Sequence, residues 1–361
     1  MPKQRLVVMF DGTWSDPQDR TNVFRLVRQL SDRDGSTQQR FFYDPGVSTD
    51  RLERLRGGVF GRGLTENLLQ GYDWLARNYA TGDEIWLFGF SRGAYTTRSL
   101  VGLINKCGLL DISTPDLLEQ AEALYRNKSL SADSPECKAF RERYSRKVKV
   151  HFLGVWDTVG TLGVPGTFKP EQHYAWQDTT LSGLVERAYH AVALDEYRRA
   201  FDVALWTSAD GKMKPGQVEV EQRWFIGSHA NVGGGYGDDP LADISFAWML
   251  GKAARAGLAI KPFAAPADAW RTDLRDSYSE FLGGAYSLWS RFMAMGDGRQ
   301  TRSLYTGQGK RPAINVTIDD SVWMRRNAPE CNYRPAALEG WVDNSQLVEP
   351  TTGSEACAAQ G

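Results

Sequence analysis

The chain has little cysteine and no long hydrophobic run. Four cysteines occur in 361 residues, without a C-x-x-C pair or metal-site spacing: Cys107, Cys137, Cys331 and Cys357. This excludes a disulfide framework and indicates a reducing compartment. No stretch approaches the roughly 18 apolar residues of a membrane-spanning helix, and the N-terminal apolar run is too short for a signal peptide. We expect a cytoplasmic protein, or one exported without a signal peptide, whose membrane contact is peripheral.

The chain also lacks an excess of either charge. Lysine and arginine number 43 against 44 aspartate and glutamate residues, so the formal net charge is -1. Disordered chains combine low hydrophobicity with lopsided charge, whereas nucleic-acid binders normally have a basic excess. The balance excludes the first class and gives no support for a nucleic-acid partner. We also expect no metal and no cofactor.

Glycine and aromatic residues are abundant instead. Glycine occurs 36 times and aromatic residues make up 12% of the chain, which indicates many tight turns and large apolar surfaces. Short apolar runs alternate with segments of helical period, and this predicts an α/β fold with a doubly wound, mainly parallel sheet in three layers. The predicted strands are residues 5–10, 40–43, 84–89, 149–156 and 221–227. The predicted helices are residues 22–30, 64–79, 92–105 and 181–192.

The sharpest motif joins a predicted strand directly to a predicted helix. Residues 84–101 run from an apolar strand through G-F-S-R-G into a helix, which is the G-x-S-x-G nucleophile elbow in its strand, turn and helix setting. Gly89 and Gly93 let neighbouring backbone approach without a Cβ clash. The helix N-terminus directs N–H groups at the oxyanion that forms on acyl attack. The motif predicts Ser91 as a nucleophile.

A serine nucleophile requires a base, and the chain has four histidines. His229 follows the last predicted strand and precedes the glycine run at 233–235. Doubly wound sheets carry their chemistry beyond the carboxyl ends of the strands, so we predict His229 as the general base. His190, at the end of a predicted helix, is the alternative. His151 in an apolar strand and His173 in a proline-containing loop are not favoured.

The acid that orients the histidine is expected at a strand end, between the serine and the histidine in sequence. Asp157 follows the apolar segment F-L-G-V-W and meets both conditions. It would hold the imidazole in one tautomer and stabilise the imidazolium. Aspartate also caps turns and helices, so a structural role for Asp157 stays open. Asp195 is the competing carboxylate.

The first predicted strand ends in F-D-G-T-W, a turn with several interpretations. The N–H groups of Gly12 and Thr13 would complete an oxyanion hole with the N–H of Arg92. Alternatively, Asp11 would act as nucleophile or metal ligand of a metal-dependent phosphatase. That chemistry normally needs a second aspartate two residues later, where this chain has Thr13, so it is the weaker interpretation. Asp11 would otherwise only hydrogen-bond the loop in place.

Seven segments between residues 6 and 236 together resemble one family. They are FDGTW, FYDPGV, the glycine-rich loop at 57–63, GFSRGAYTTR, GVWDTVGTLG, HAVALDEYRRAF and WFIGSHANVGGGY. The set resembles the α/β-hydrolase domain family of uncharacterised proteins that includes type VI secretion phospholipase effectors. The resemblance implies an α/β-hydrolase fold, a serine esterase or lipase, and, for effector members, phospholipase activity toward membrane glycerophospholipids. Ser91 matches the family nucleophile.

These observations predict a serine hydrolase that cleaves carboxylic esters through a Ser-His-Asp triad, as a lipase or phospholipase acting on glycerophospholipids. A soluble carboxylesterase, a metal-dependent phosphatase using Asp11 and a non-catalytic interaction module are the alternatives. An effector would also have a cognate immunity protein as partner. We expect a catalytic domain at residues 1–260, with a helical insertion at 110–147, and a C-terminal extension at 261–361 that forms a lid or cap.

Two further segments bear on the substrate. Residues 281–292 carry apolar side chains at helical spacing, which fits a core helix, a lid or a helix that docks on a lipid surface. The loop at 51–62 contains four arginines and three glycines. It is a solvated loop, or its arginines attract the anionic head group of a substrate toward the site.

Overall fold

Short buried strands alternate with helices along most of the chain, as the sequence predicts. The computed structural model describes residues 3–12, 20–46, 58–159, 180–277, 299–306 and 311–339, with backbone alone at 58–62 and 200. The strands are β1 (Gln4–Phe10), β2 (Arg33–Asp34), β3 (Thr37–Asp44), β4 (Glu84–Phe90), β5 (Leu109–Leu110), β6 (Ser145–Arg146), β7 (Val150–Trp156), β8 (Val185–Ala193), β9 (Glu219–Phe225) and β10 (Val316–Ile318). The α-helices are α1 (Asn22–Gln29), α2 (Gly58–Asn78), α3 (Arg92–Cys107), α4 (Pro115–Arg126), α5 (Pro135–Tyr144), α6 (His229–Gly233), α7 (Pro240–Arg255) and α8 (Asp320–Asn327).

Eight strands form one sheet, in the order β10-β9-β8-β7-β4-β1-β3-β2. Every pairing in it is parallel except that of the short β2 with β3. The strands β5 and β6 form a separate antiparallel pair beside α2 and α5, in the segment where the sequence predicts a helical insertion. The predicted fold class, a mainly parallel sheet of the α/β-hydrolase type, is confirmed.

Alternate side chains of β1 pack on opposite faces of this sheet. Leu6, Val8 and Phe10 belong to a core shared with α2 and α3. Val7 and Met9 belong to a second core shared with α1 and α7. Because successive side chains of a strand point to opposite faces, a strand covered on both sides is apolar at every position. This explains the uninterrupted apolar character of the central strands.

Tryptophan accounts for much of the buried volume. Four tryptophan side chains are at most 1% exposed: Trp86, Trp156, Trp206 and Trp224. Large aromatic groups bury more apolar area per residue than any other side chain. Part of the aromatic excess therefore lies in the core.

The predicted helix at residues 181–192 is wrong, because this segment forms β8. The strand lies between β7 and β9, and Ala188, Tyr189 and Ala191 are all buried. Every residue from 188 to 193 is buried, so this part of the central strand shows no alternation of polar and apolar residues, and its periodicity does not distinguish it from a buried helix. The correction moves His190 from a helix end to the interior of the sheet.

The region after residue 260 adds to the same sheet. Here β10 pairs with β9, and α8 follows it. A third core cluster combines Trp224 of β9 and the following Ile226 with Ile318, Val322 and Leu338 from the C-terminal region. The division at residue 260 and the lid or cap role of the extension stay predictions.

Candidate active site

The turn between β4 and α3 holds Ser91 in a strained backbone conformation, with φ 57° and ψ -120°. Its N–H donates to the Trp156 carbonyl at 3.0 Å. A Cβ on Gly89 would lie 2.3 Å from Thr97 Oγ1, and one on Gly93 would lie 2.1 Å from the Phe10 carbonyl oxygen. Both distances are far below van der Waals contact, so the elbow requires glycine at these positions.

Ser91, His229 and Asp157 form a continuous chain of hydrogen bonds. Nδ1 of His229 lies 2.6 Å from Asp157 Oδ2, and Nε2 lies 2.8 Å from Ser91 Oγ. Because Nδ1 faces a carboxylate, it carries the hydrogen, and Nε2 is left to accept the serine hydroxyl. The structure therefore brings together the three residues that the sequence selects, from the ends of β4, β7 and β9.

Asp157 is completely buried and has a φ of 37°. Its Oδ1 accepts the N–H of Ala193 at 2.9 Å and Nη1 of Arg302 at 2.7 Å. Burial alone would raise the pKa of the carboxyl, but the charge of Arg302 and the hydrogen bond from His229 outweigh it and hold the pKa well below its usual range. Asp157 is therefore ionised at neutral pH.

The imidazole of His229 is enclosed by aromatic rings. The ring of Phe90 lies 4.7 Å away between centroids, and the ring of Phe201 lies 5.2 Å away. Burial lowers the pKa of His229, and the hydrogen bond to Asp157 acts in the opposite direction without cancelling it. The imidazole is thus neutral at neutral pH, which is the form that accepts a proton.

The alternative base, His190, lies inside the sheet. Its Nε2 accepts the N–H of Thr158 at 3.1 Å, and its Nδ1 lies 3.4 Å from Gln222 Oε1. Burial lowers the pKa of His190 to about 3, with a smaller contribution from the charge of Arg98. Both ring nitrogens are engaged by structural groups.

The alternative acid, Asp195, lies in a separate hydrogen-bond network. Its Oδ2 accepts the N–H of Gly227 and the hydroxyl of Tyr333, each at 2.7 Å. Burial raises its pKa. This carboxylate fixes the backbone that leads into His229, and its partners do not include the imidazole.

Asp11 anchors the turn after β1. Its Oδ1 accepts the N–H of Gly12 at 2.7 Å, and its Oδ2 accepts the hydroxyls of Thr21 at 2.5 Å and Tyr43 at 2.9 Å. Both carboxylate oxygens are thus engaged, which favours the loop-holding interpretation. Within the described ranges, no group of three His, Cys, Asp or Glu side chains is arranged to hold a metal ion.

The bond to Asp11 also revises the expected oxyanion hole. The Gly12 N–H points to the Asp11 carboxylate, so it is not directed at a developing oxyanion. Arg92 is the first residue of α3 and directly follows Ser91, the position that supplies an oxyanion-hole N–H in the G-x-S-x-G elbow. Its N–H stays the predicted donor. Thr13 lies outside the described residues, as do residues 281–292 and residues 51–57 of the loop predicted at 51–62. Residues 58–62 of that segment do not form a loop, because they begin α2.

Sequence reasoning missed three charged residues beside Ser91, His229 and Asp157. Arg302 bonds both oxygens of Asp157. Glu196 accepts the backbone N–H of His229 at 3.3 Å and forms a buried ion pair with Arg198 at 2.7 Å. Arg302 is 145 positions from Asp157 in sequence, and no local pattern could have indicated it. The segment H-A-V-A-L-D-E-Y-R-R carries Glu196 and Arg198, and it is among those that resemble the hydrolase family.

The chain is similar to several known proteins. A family model described as the catalytic domain of Tle1-like type VI secretion system phospholipase effectors matches residues 4–252. The chain belongs to this family. The match spans every strand of the main sheet except β10 and includes Ser91, Asp157 and His229. The resemblance of the sequence motifs to this effector family is thus confirmed, while the match ends before Arg302.

A curated protein from yeast is similar to part of this chain. An uncharacterized protein of Saccharomyces cerevisiae is 29% identical over an alignment of 230 residues, and the match covers 56% of this chain and 33% of the relative. The chain spans about a third of the length of the curated relative that it matches.

Three solved structures are partly similar to the chain. An uncharacterized protein from Pseudomonas aeruginosa has 19% identity and a TM-score of 0.43, covering 81% of this chain and 50% of its own. The Tle1 effector bound to the VgrG spike of the type 6 secretion system has 18% identity and a TM-score of 0.36, with coverages of 66% and 53%. A thermophilic esterase from Thermogutta terrifontis, with propionate bound, has 13% identity and a TM-score of 0.37, with coverages of 72% and 86%.

No α-helix in the described ranges combines the length and the apolar character that a membrane crossing requires.

Proposed function

We propose that this protein is a serine hydrolase of carboxylic esters, in which Ser91 is the nucleophile, His229 the general base and Asp157 the orienting acid. The observation that carries the proposal is the hydrogen-bonded chain from Asp157 through His229 to Ser91, with distances of 2.6 and 2.8 Å. Ser91 and His229 are each 7% exposed and Asp157 is 0% exposed. Hydrogen bonds in such a water-poor site are stronger than they are in water.

The reaction follows from these positions. The Ser91 hydroxyl attacks the ester carbonyl while its proton passes to Nε2 of His229. The tetrahedral oxyanion accepts a hydrogen bond from the N–H of Arg92. When the intermediate collapses, His229 returns the proton to the leaving alcohol and an acyl-enzyme forms. Water then attacks the acyl group by the same route, and Asp157 stays ionised throughout.

We propose glycerophospholipids as the substrate class, so that the enzyme is a lipase or phospholipase. Support comes from membership of the Tle1-like phospholipase effector family over residues 4–252. Hydrolysis of glycerophospholipid vesicles should be compared with hydrolysis of a soluble p-nitrophenyl butyrate. A sharp rise in Ser91-dependent turnover on vesicles supports a phospholipase, whereas turnover confined to the soluble ester identifies a carboxylesterase.

The mechanism is tested by covalent labelling. A fluorophosphonate probe should label the wild-type protein at Ser91, as located by peptide mapping, and Ser91→Ala should lose labelling together with about 10^6-fold of its turnover. Ser99→Ala is a matched control, because Ser99 is a buried serine of α3, the helix that directly follows Ser91. It should keep both properties.

The remaining alternatives predict different results in the same assays. A metal-dependent phosphatase using Asp11 would release phosphate in an EDTA-sensitive way and be indifferent to Ser91→Ala. A non-catalytic interaction module would show no labelling at Ser91. Export as an effector and a cognate immunity protein stay predictions that rest on family membership.

A further inference from the structure

A buried arginine from the C-terminal region bonds the acid of the proposed triad. Nη1 of Arg302 donates to Asp157 Oδ1 at 2.7 Å, and Nη2 donates to Oδ2 at 3.0 Å. Arg302 is 3% exposed. A bidentate pair of this kind fixes the orientation of the carboxylate as well as its charge. The oxygen that accepts Nη2 is also the one that lies 2.6 Å from His229.

The guanidinium is itself held on both sides. Nη1 also donates to the Ala193 carbonyl at 2.8 Å, and Nη2 to the Phe201 carbonyl. The backbone that carries Arg302 lies along the segment after β8: residue 299 bridges residue 198, and the Gln300 N–H donates to the Tyr197 carbonyl at 2.9 Å. The arginine therefore has little freedom to leave the carboxylate.

Asp157 needs such a support for two reasons. Its backbone has a φ of 37°, which costs free energy in a residue other than glycine and persists only when surrounding groups hold it. Its carboxylate is also completely buried, where an uncompensated charge is strongly unfavourable. Arg302 meets both needs, since it binds two oxygens and supplies one positive charge.

Further charged groups surround the pair. Glu196 accepts the backbone N–H of His229 at 3.3 Å, and its charge is offset by Arg198. The charged and titratable groups that face Asp157, His229 and Arg302 from the adjoining elements are Arg98, His190, Glu196, Arg198 and Asp202. With Glu196 paired to Arg198, the positive charge bound to Asp157 is that of Arg302.

We propose that Arg302 is a positioning residue of the triad, which orients the Asp157 carboxylate toward His229 and balances its charge. The inference rests on the proposed serine hydrolase function. It makes the activity of the Tle1-like domain depend on a side chain that lies beyond the family-matched residues 4–252.

The charge balance has a consequence for protonation. An ionised Asp157 without Arg302 would attract a proton to the Asp157–His229 pair more strongly, and the pair would bind it at higher pH. The acid limb of the kcat/KM profile reports that proton. Replacing Arg302 by an uncharged residue should therefore move the acid limb to higher pH, by about one unit.

The test compares pH profiles of kcat/KM on p-nitrophenyl butyrate for wild type, Arg302→Met and Arg302→Lys. Arg302→Met should shift the acid limb to higher pH. Arg302→Lys keeps the charge but not the bidentate geometry. It should leave the limb in place and lower kcat about tenfold with little change in KM, the effect of one lost charge-assisted hydrogen bond. If Arg302→Met does not fold, the kcat of Arg302→Lys and the acid limb of its kcat/KM profile test the inference.

Arg325→Met is the matched control. Arg325 is also a buried arginine of the C-terminal region, and it donates to the carbonyls of Trp270 and Thr272 at 2.7 and 2.6 Å. The acid limb of the kcat/KM profile of Arg325→Met should coincide with that of the wild type. An unshifted limb in Arg302→Met, or a wild-type kcat in Arg302→Lys, would overturn the inference while leaving the hydrolase proposal intact. Absence of Ser91-dependent hydrolysis in the wild type would instead overturn the proposed function.

Discussion

His190 accepts the backbone N–H of Thr158 at 3.1 Å, immediately after the carboxylate that bonds His229. This contact fixes the His190 tautomer with its hydrogen on Nδ1, toward Gln222 Oε1. The two histidines therefore lie on either side of the Asp157 turn with different tasks. One supports the backbone of the acid and the other bonds its carboxylate.

Replacement of each histidine should separate these tasks. His229→Ala is expected to lower turnover of a soluble ester by about 10^6-fold, because Ser91 loses its base. His190→Gln keeps an acceptor for the Thr158 N–H and should retain Ser91-dependent turnover. Steady-state kinetics with circular dichroism as a folding control measure both. Turnover lost only in a folded His190→Gln would reverse the assignment.

The buried His190 should also make the fold sensitive to acid. Its pKa is lowered to about 3 in the folded protein, whereas an unfolded histidine titrates near about 6.5. Only the unfolded state therefore binds the proton between these values. The contribution of neutral His190 to the free energy of unfolding is fully present above about pH 6.5. Below that pH it falls by about 1.4 kcal/mol per pH unit, until the pKa of the folded state is reached.

Urea unfolding at pH 7.5 and pH 5.0 measures this effect. The free energy of unfolding of the wild type should fall about 2 kcal/mol more between the two pH values than that of His190→Gln. The comparison of pH slopes is independent of any constant destabilisation that the substitution causes. Equal slopes would contradict the assignment of His190 as a buried neutral group.

The two candidate acids can be separated in the same way. Asp157→Asn should lower kcat by about 10^4-fold, because an amide does not hold the imidazole in the required tautomer. Asp195→Asn keeps an oxygen acceptor for Gly227 and Tyr333 and should have kcat near the wild-type value. The measurement is kcat on a soluble ester with purified, folded variants. Comparable losses in both would show that Asp195 also takes part in the acid function.

The elbow should not tolerate a methyl group at Gly93. Gly93→Ala would bring Cβ to 2.1 Å from the Phe10 carbonyl oxygen, and backbone atoms cannot move aside cheaply. We expect a loss of about 3 kcal/mol or more in the free energy of unfolding, and no labelling of Ser91. Gly183→Ala meets no atom within 4 Å and should change stability by less than about 0.5 kcal/mol. Chemical unfolding curves compare them, and wild-type stability in Gly93→Ala would contradict this geometry.

Much of the fold and the placement of three candidate residues could be predicted from sequence because their signals are local. The five-residue motif G-x-S-x-G identifies Ser91, and the predicted strand ends indicate Asp157 and His229. The strand β8 was missed, since its buried alanines give no alternating pattern. The support from Arg302 was missed because it depends on a contact between distant parts of the chain, which no local pattern encodes.

The pairing of β10 with β9 also determines how the protein can be divided. A chain cut at the end of the family match would lose Ile318 and Val322 from the core around Trp224, and β9 would become an edge strand. Exposed apolar edges recruit other chains into aggregates. The unit that can be handled in isolation therefore extends well past residue 252, and attempts to express the matched domain alone would face precipitation before any assay of its chemistry.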